Sequence, residues 1–175
     1  QVASINSSEN EKLNFRSLNQ LFEKSLLGDQ KLANLPLFLR RQQLMRILFF
    51  QELYTKILNV HGVLMEFGCR WGTNLSVMTA LRGIYEPYNH NRKIIGFDTF
   101  TGLTKISDTK DKPSDFIQEG SYSTAKDYPN ELKQILSCLE KECPLSHIQK
   151  FEIIEGDVNE IFEGFDSSIG SNPFE

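Results

Sequence analysis

The sequence predicts an α/β protein with a doubly wound parallel sheet. Three short apolar segments, residues 63–67, 93–97 and 151–154, have the length and composition of buried strands. Segments with helical spacing of apolar residues separate them, and strands that alternate with helices form parallel sheets with right-handed crossovers. No fourth strand is recognisable after the third, so the sheet is expected to be truncated there.

Composition and charge exclude several classes of protein. The 175 residues are 39% hydrophobic and 24% charged, which is typical of a globular domain. A net charge of −4 without a long basic run disfavours a nucleic-acid partner. No apolar run approaches the ~20 residues that span a bilayer, and the polar N-terminus does not resemble a signal peptide. The three cysteines lack metal-ligand spacing and are expected to be reduced thiols of a cytoplasmic protein.

Two helices are predicted before the first strand. Apolar side chains recur at helical spacing in residues 11–27. A longer helix is predicted over residues 37–60, with Pro36 at its start, where a missing N–H group costs nothing. Gly62 is expected to close this helix.

Two connections join the three predicted strands. The first contains a helix over residues 73–85, for which Thr73 or Asn74 is the predicted N-cap. The second begins with a polar stretch, residues 99–120, which is longer than most connections and is therefore either a lid or a disordered segment. Residues 124–127 resemble a capping box for the helix after it.

The loop after the first strand carries the first candidate for chemistry. Gly68 permits a tight turn, and Gly72 lets the backbone come close to a ligand at a helix start. Glu66 is an acid near the end of an otherwise apolar strand, where it needs a cationic or hydrogen-bonding partner. The alternative for this loop is an ordinary strand-to-helix turn, with the Glu66 carboxylate reaching solvent.

Acidic residues also follow the second and third strands. Asp98 can accept hydrogen bonds from two ribose hydroxyls, or it can cap a turn. Asp157 can accept a hydrogen bond from an adenine amino group, and the N–H of a neighbour such as Val158 can bond a ring nitrogen, although Gly-Asp is also common in turns. Because ligands bind beyond the carboxyl ends of parallel strands, the three features together predict a site for an adenosine-containing cofactor.

The glycine spacing separates two cofactors of this kind. The dinucleotide fingerprint G-x-G-x-x-G has a glycine where Arg70 stands, and a bulky side chain there would crowd a pyrophosphate. S-adenosylmethionine (SAM) has no phosphate, and its ammonium group suits an acid two residues before the first glycine. The pattern favours SAM, with an NAD-binding oxidoreductase as the alternative.

A wider set of motifs points the same way. A resemblance to the macrocin O-methyltransferase family of class I SAM-dependent enzymes is carried by residues 40 through 68, 85–89, 92–100 with Gly102, 120–123 and 151–158. The likeness covers residues 36–160, and its most specific part is Phe-Asp-Thr-Phe with a nearby glycine. It implies a Rossmann-like fold and methyl transfer from SAM to a hydroxyl of a small molecule, often on a sugar.

The resemblance also limits what can be assigned. It implies a divalent metal such as Mg²⁺ in full-length relatives, with ligands after strands four and five, which are not recognisable here, so neither metal ligands nor catalytic residues are assigned. The expected cofactor-binding residues are Glu66, Gly68, Cys69, Gly72, Asn74, Asp98, Thr99, Phe100, Asp157 and Val158.

These expectations divide the chain into four parts. Residues 1–10 are predicted to be a disordered lead-in, residues 11–61 N-terminal helices, residues 62–165 a SAM-binding Rossmann-like half-domain, and residues 166–175 an unstructured tail. Without a fourth strand, residues 63–67 form a hydrophobic edge that invites pairing with another chain. Three explanations stay open: a fragment of a longer protein, completion of the sheet by a second copy (a homo-oligomer through this edge) or by another chain, and a truncated homologue without activity. The fragment and the truncated homologue are favoured, and a non-catalytic oligomerising module is a further alternative.

Overall fold

The computed structural model describes residues 8–103 and 120–166, without the side chains of residues 163–166. Its elements, in chain order, are α1 (Glu9–Glu23), two 3₁₀ helices (Gly28–Gln30 and Leu35–Phe38), α2 (Arg41–Lys56), β1 (Leu64–Phe67), α3 (Thr73–Tyr85), β2 (Ile94–Asp98), α4 (Tyr128–Lys141), β3 (Phe151–Glu155) and α5 (Val158–Asp166). The chain forms two compact units, Gln1–Leu48 and Phe49–Glu175. Among the helices described, none combines the length and apolar character that crossing a membrane requires.

Helix α1 begins earlier than the sequence predicts. Ser8 is its N-cap and forms a capping box with Glu11: the Ser8 hydroxyl accepts the N–H of Glu11, and the Glu11 carboxylate accepts the N–H of Ser8. Residues 8–10 therefore belong to the cap and first turn of a helix, not to a disordered lead-in. Residues 1–7 lie outside the described part of the chain.

The long helix predicted over residues 37–60 is shorter in the structure. Pro36 lies in a separate 3₁₀ helix, Leu39 is extended, and α2 begins only at Arg41. The side chain of Gln43 accepts the main-chain N–H of Arg40 at 2.8 Å, which satisfies a donor at the new helix start. The helix ends at Lys56.

The three strands form one parallel sheet in the order β1-β2-β3. Leu64 is opposite Ile94, and Ile94 is opposite Phe151, so the three strands start in register. The central strand β2 is buried along four of its five residues, as expected for a parallel strand covered on both faces. The predicted parallel α/β architecture is confirmed, and each strand lies within one residue of its predicted position.

Helices α3 and α4 pack against each other through Gly72. This residue is the N-cap of α3 and has a φ of +63°, a conformation that favours glycine. A Cβ atom at this position would overlap the side chain of Leu132 on α4. The predicted cap at Thr73 or Asn74 is wrong, because no side chain caps this helix and Asn74 bonds to Glu66 instead.

The predicted capping box at residues 124–127 is also absent. Asp127 is the N-cap of α4 and makes no side-chain capping bond. The Thr124 hydroxyl donates to the carbonyl of Phe100, 3.3 Å away, and is thereby used to hold the loop after β2. A proline in the first turn of α4 fits the helix start without needing an N–H partner.

A buried ionic cluster lies at the amino ends of the strands. Glu140 of α4 pairs with Arg82 of α3 at 2.6 Å and with Lys150 at 2.7 Å. The side chains are at most 4% exposed, and Arg82 also donates to the main-chain carbonyl of Lys150, directly before β3. The cluster therefore ties two helices to the sheet at the end opposite the predicted site.

Arg92 holds the chain between α2 and β1. Its guanidinium pairs with Glu86 at 2.9 Å and donates to the carbonyls of Ile57, Val60 and Gly62. These carbonyls follow the end of α2, so one buried arginine fixes the course of the chain between α2 and β1.

Candidate functional site

A cavity of about 410 Å³ opens at the carboxyl edge of the sheet. Its described lining residues come from the loops after all three strands and from residues 120–124: Gly68, Arg70, Phe97, Asp98, Thr99, Gly102, Leu103, Tyr122, Gly156, Asp157 and Val158. Five of the ten predicted cofactor residues are among them, namely Gly68, Asp98, Thr99, Asp157 and Val158. The structure therefore brings together Asp98 and Asp157, the acids that follow the second and third strands.

The loop after β1 is fastened to the end of β2. The main-chain N–H groups of Gly68 and Cys69 both donate to the carbonyl of Phe97, at 2.8 and 3.3 Å. Positive φ angles at Gly68 and Gly72 allow the chain to turn back into α3. This explains the glycine spacing that the sequence shows.

Asp98 organises the wall of the cavity. Its Oδ2 accepts the main-chain N–H of Arg70 at 2.6 Å, and its Oδ1 accepts that of Phe100 at 2.7 Å. Both donors have positive φ, 45° and 56°, which is unfavourable for side-chain-bearing residues and is offset here by two charge-assisted bonds. Each carboxylate oxygen has a further lone pair, so Asp98 retains the capacity to accept two more hydrogen bonds.

Asp157 lies at the start of α5. Its Oδ1 accepts the main-chain N–H of Asn159 at 2.9 Å, and the N–H of the preceding Gly156 donates to the carbonyl of Asp98 at 3.0 Å. Val158 is the first residue of α5, where main-chain N–H groups have no acceptor within the helix. The loop after β3 is thus positioned against the loop after β2.

Glu66 lies at the same edge of the sheet but is not among the described lining residues. It is opposite Gly96 in the register of β1 and β2. Its Oε1 accepts the side-chain amide of Asn74 at 2.5 Å, and both residues are half-buried. Asn74 supplies the hydrogen-bonding partner that an acid in this strand requires.

Cys69, Gly72 and Phe100 stand behind the cavity wall. Cys69 and Phe100 are 5% and 6% exposed and belong to the hydrophobic core. Burial, together with the negative charges of Asp98 and Glu66, raises the pKa of the Cys69 thiol to about 12. This thiol is therefore neutral at physiological pH and is not a nucleophile.

The sequence analysis did not assign Arg70 and Tyr122 to the site. The guanidinium of Arg70 lies 5.0 Å from the ring centre of Tyr122 and 5.5 Å from that of Trp71. The Trp71 ring makes an edge contact with Tyr128, whose hydroxyl donates to the Trp71 carbonyl. Tyr122 lies 52 positions from Arg70 in the chain, so no local spacing indicates their contact.

The two stems of the predicted lid are joined by main-chain hydrogen bonds. Leu103 donates to Ser121, Gly120 donates to Leu103, and Thr124 donates to Phe100, each at 3.0 Å. The remainder of that segment, residues 104–119, lies outside the described residues. Within the described ranges, no group of three or more His, Cys, Asp or Glu side chains is arranged to hold a metal ion.

Comparisons with known proteins give matches among solved structures. No family model matches the chain. No curated protein matches it either. The crystal structure of CalS11, calicheamicin methyltransferase, has a TM-score of 0.86 and 37% identity, covering 93% of this chain and 64% of that chain.

A second matching structure is the apo form of CalS11, TDP-rhamnose 3′-O-methyltransferase, an enzyme in calicheamicin biosynthesis. It has a TM-score of 0.75 and 34% identity, covering 95% of this chain and 64% of that chain. The chain thus spans less than two thirds of the length of these proteins. It shares their fold over nearly all of its own length, which confirms the predicted Rossmann-like fold of a class I methyltransferase.

Proposed function

We propose that the chain is the cofactor-binding part of a SAM-dependent O-methyltransferase that acts on a hydroxyl of a small molecule, with a sugar or glycoside as the acceptor class. The observation that carries the proposal is the shared cavity, which has Asp98 and Asp157 in its wall at the carboxyl edge of a parallel sheet. The similarity to CalS11, an enzyme described as a sugar O-methyltransferase, supports both the reaction and the acceptor class. The sequence motifs favour the macrocin O-methyltransferase family within that class.

The adenosine part of SAM fits the described wall. Asp98 has the acceptor capacity for the two ribose hydroxyls, and Thr99 lines the cavity beside it. Asp157 is placed to accept from the adenine amino group, while the main-chain N–H of Val158 donates to a ring nitrogen. These roles use the two chain segments, at the ends of β2 and β3, that line the same cavity.

The methionine part of SAM is assigned to the loop after β1. Gly68 lines the cavity, and the absence of a side chain there leaves room for the ligand, while Glu66, held by Asn74, supplies the negative charge for the ammonium group. Cys69 and Phe100 act from behind, by filling the core beneath the wall.

The cofactor supplies an electrophilic methyl group on a positively charged sulfur. The described residues bind and orient it, and positioning of this kind contributes a large part of the rate of such transfers. Among these described residues, no group of three or more His, Cys, Asp or Glu side chains is arranged to hold a metal ion. The group that takes the acceptor proton is not assigned among the described residues.

Calorimetry with S-adenosylhomocysteine tests the proposal directly. Binding heat from the folded chain, with none from NADH, is the expected result. A chain that is folded by circular dichroism and binds NADH with a fluorescence change would instead support the oxidoreductase alternative. Absence of heat with S-adenosylhomocysteine would contradict SAM recognition.

The exposed edge strand β1 favours a second candidate function, that of an oligomerising module. Among the described residues this strand pairs with β2 alone, and its Met65 and Phe67 are 39% and 54% exposed. An open strand of this composition pairs readily with a second copy of the chain. Light scattering that shows dimers, combined with calorimetry that shows no cofactor binding, would favour this function over the first.

A further inference from the structure

Arg70 is a cation in the cavity wall whose guanidinium has no hydrogen-bond acceptor among the described residues. Its side chain makes no hydrogen bond or ion pair with any described residue, and its Nε atom is buried without a partner. It is also the only Lys, Arg or His among the described lining residues. A guanidinium carries five N–H donors, so this side chain has unused donor capacity facing a cavity.

The neighbours of Arg70 hold its position without neutralising its charge. The rings of Trp71 and Tyr122 attract the guanidinium through their π faces, and such contacts leave the N–H edges available. Asp98, an acid in the same wall, accepts hydrogen bonds from the main-chain N–H groups of Arg70 itself and of Phe100. The ring contacts therefore hold the guanidinium in place, and no described residue forms an ion pair with it.

We propose that Arg70 is the anion-binding residue of this site and that its guanidinium binds a carboxylate or phosphate group of a bound ligand. Both groups match the planar fork of arginine and form paired charge-assisted hydrogen bonds with it. This inference rests on the proposed function, because that function supplies the two ligands that carry such an anionic group. The carboxylate belongs to the methionine part of SAM, and the phosphate belongs to a nucleotide-linked sugar acceptor.

Calorimetry on the full chain with matched ligands distinguishes these sources. S-adenosylhomocysteine is compared with its decarboxylated analogue, which keeps the adenosine and ammonium groups and lacks only the carboxylate. Thymidine diphosphate is compared with thymidine in the same way. The variants are Arg70→Met, which keeps the length of the side chain, and Arg70→Lys, which keeps the charge. Lys141→Met, an exposed position on α4, is the control for loss of one positive charge.

If Arg70 binds the carboxylate, Arg70→Met should weaken S-adenosylhomocysteine binding by about tenfold or more. The affinity for the decarboxylated analogue should stay within about twofold of the wild-type value. For a phosphate, the same selective loss should appear for thymidine diphosphate and not for thymidine. Arg70→Lys should recover part of the affinity in either case, and Lys141→Met should change neither.

Two results would overturn the inference. One is an equal loss for both members of each ligand pair, which would mean that Arg70 only shapes the wall. The other is unchanged binding of S-adenosylhomocysteine and thymidine diphosphate in a folded Arg70→Met variant. Failure of the wild-type chain to bind either adenosine ligand would contradict the proposed function, whereas thymidine diphosphate binding that depends on Arg70 would still support the anion site.

Discussion

The main-chain nitrogen of Arg70 lies 2.6 Å from Oδ2 of Asp98, so that one carboxylate joins the loop after β1 to the end of β2. The two residues are 28 positions apart in the chain. Because Oδ1 of the same group accepts the N–H of Phe100, Asp98 fixes two loops at once. The residue proposed to bind ribose is therefore also a structural residue of the wall.

Replacement of Asp98 by alanine should affect both binding and stability. Affinity for S-adenosylhomocysteine should fall by more than about tenfold, since two acceptors for hydroxyl groups are lost. The free energy of unfolding should also fall, by about 1–3 kcal/mol, because two main-chain N–H groups lose their acceptor. Calorimetry and urea denaturation measure the two effects. The control is Glu152→Ala, at an exposed position on β3. Unchanged affinity in a folded Asp98→Ala variant would remove Asp98 from the site.

Gly72 and Gly68 provide a matched pair for testing the packing of α3 against α4. Both have positive φ, but only a Cβ atom at Gly72 would overlap Leu132, while a Cβ atom at Gly68 meets nothing within 4 Å. Gly68→Ala should cost about 1–2 kcal/mol for the backbone conformation alone. Gly72→Ala should cost about 1–3 kcal/mol more, because of the overlap with a packed core. Equal destabilisation of the two variants in urea would show that Leu132 yields freely.

The buried cluster around Glu140 should be sensitive to loss of the acid. Glu140→Ala leaves Arg82 and Lys150 buried without their shared counter-charge, which should lower the free energy of unfolding by about 3–5 kcal/mol. Glu142→Ala, an exposed position directly after the same helix, should stay within about 0.5 kcal/mol of wild type. The midpoints of guanidinium denaturation give both values. Similar midpoints for the two variants would contradict the assigned role.

The free energy of unfolding should fall at acid pH, in part because Glu86 becomes protonated. Burial tends to raise the pKa of Glu86, but hydrogen bonds from Arg92, Tyr54 and Asn89 outweigh it and leave that pKa below its ordinary value of 4.5. A lowered folded-state pKa contributes stability above the ordinary value, and this contribution is lost as the pH falls through the folded-state pKa. The stability difference between wild type and Glu86→Gln should therefore be largest at neutral pH and shrink below pH 4.5. Urea titrations across this range would show a constant difference if the prediction is wrong.

Much of the fold follows from local sequence patterns. The three strands are apolar runs between polar turns, and α3 spans the predicted residues 73–85. The helix boundaries that differ depend on side-chain partners that propensity does not reveal. Gln43 caps a helix that starts later than expected, and Asn74 bonds to Glu66 across the loop instead of capping its own helix. Such choices are decided by tertiary contacts.

The site was predictable in part, because the rule that ligands bind at strand ends requires no knowledge of packing. Asp98 and Asp157 follow strands directly and meet at one cavity. In the sequence, Arg70 is recognisable only as an obstacle to a pyrophosphate, since nothing local indicates that its guanidinium lines the cavity. Its contact with Tyr122 depends on the return of the chain after residues 104–119.

The main-chain bonds of the two stems determine which residues there can be substituted. The stems on either side of residues 104–119 are closed by main-chain bonds among Phe100, Leu103, Gly120 and Thr124, together with Ser121. Because these bonds use main-chain groups, the side chains of the stems can be exchanged without breaking them, except at Gly102 and Gly120, whose positive φ angles favour glycine. Variation in this part of the cavity wall is therefore expected in the side chains, while the course of the main chain is kept.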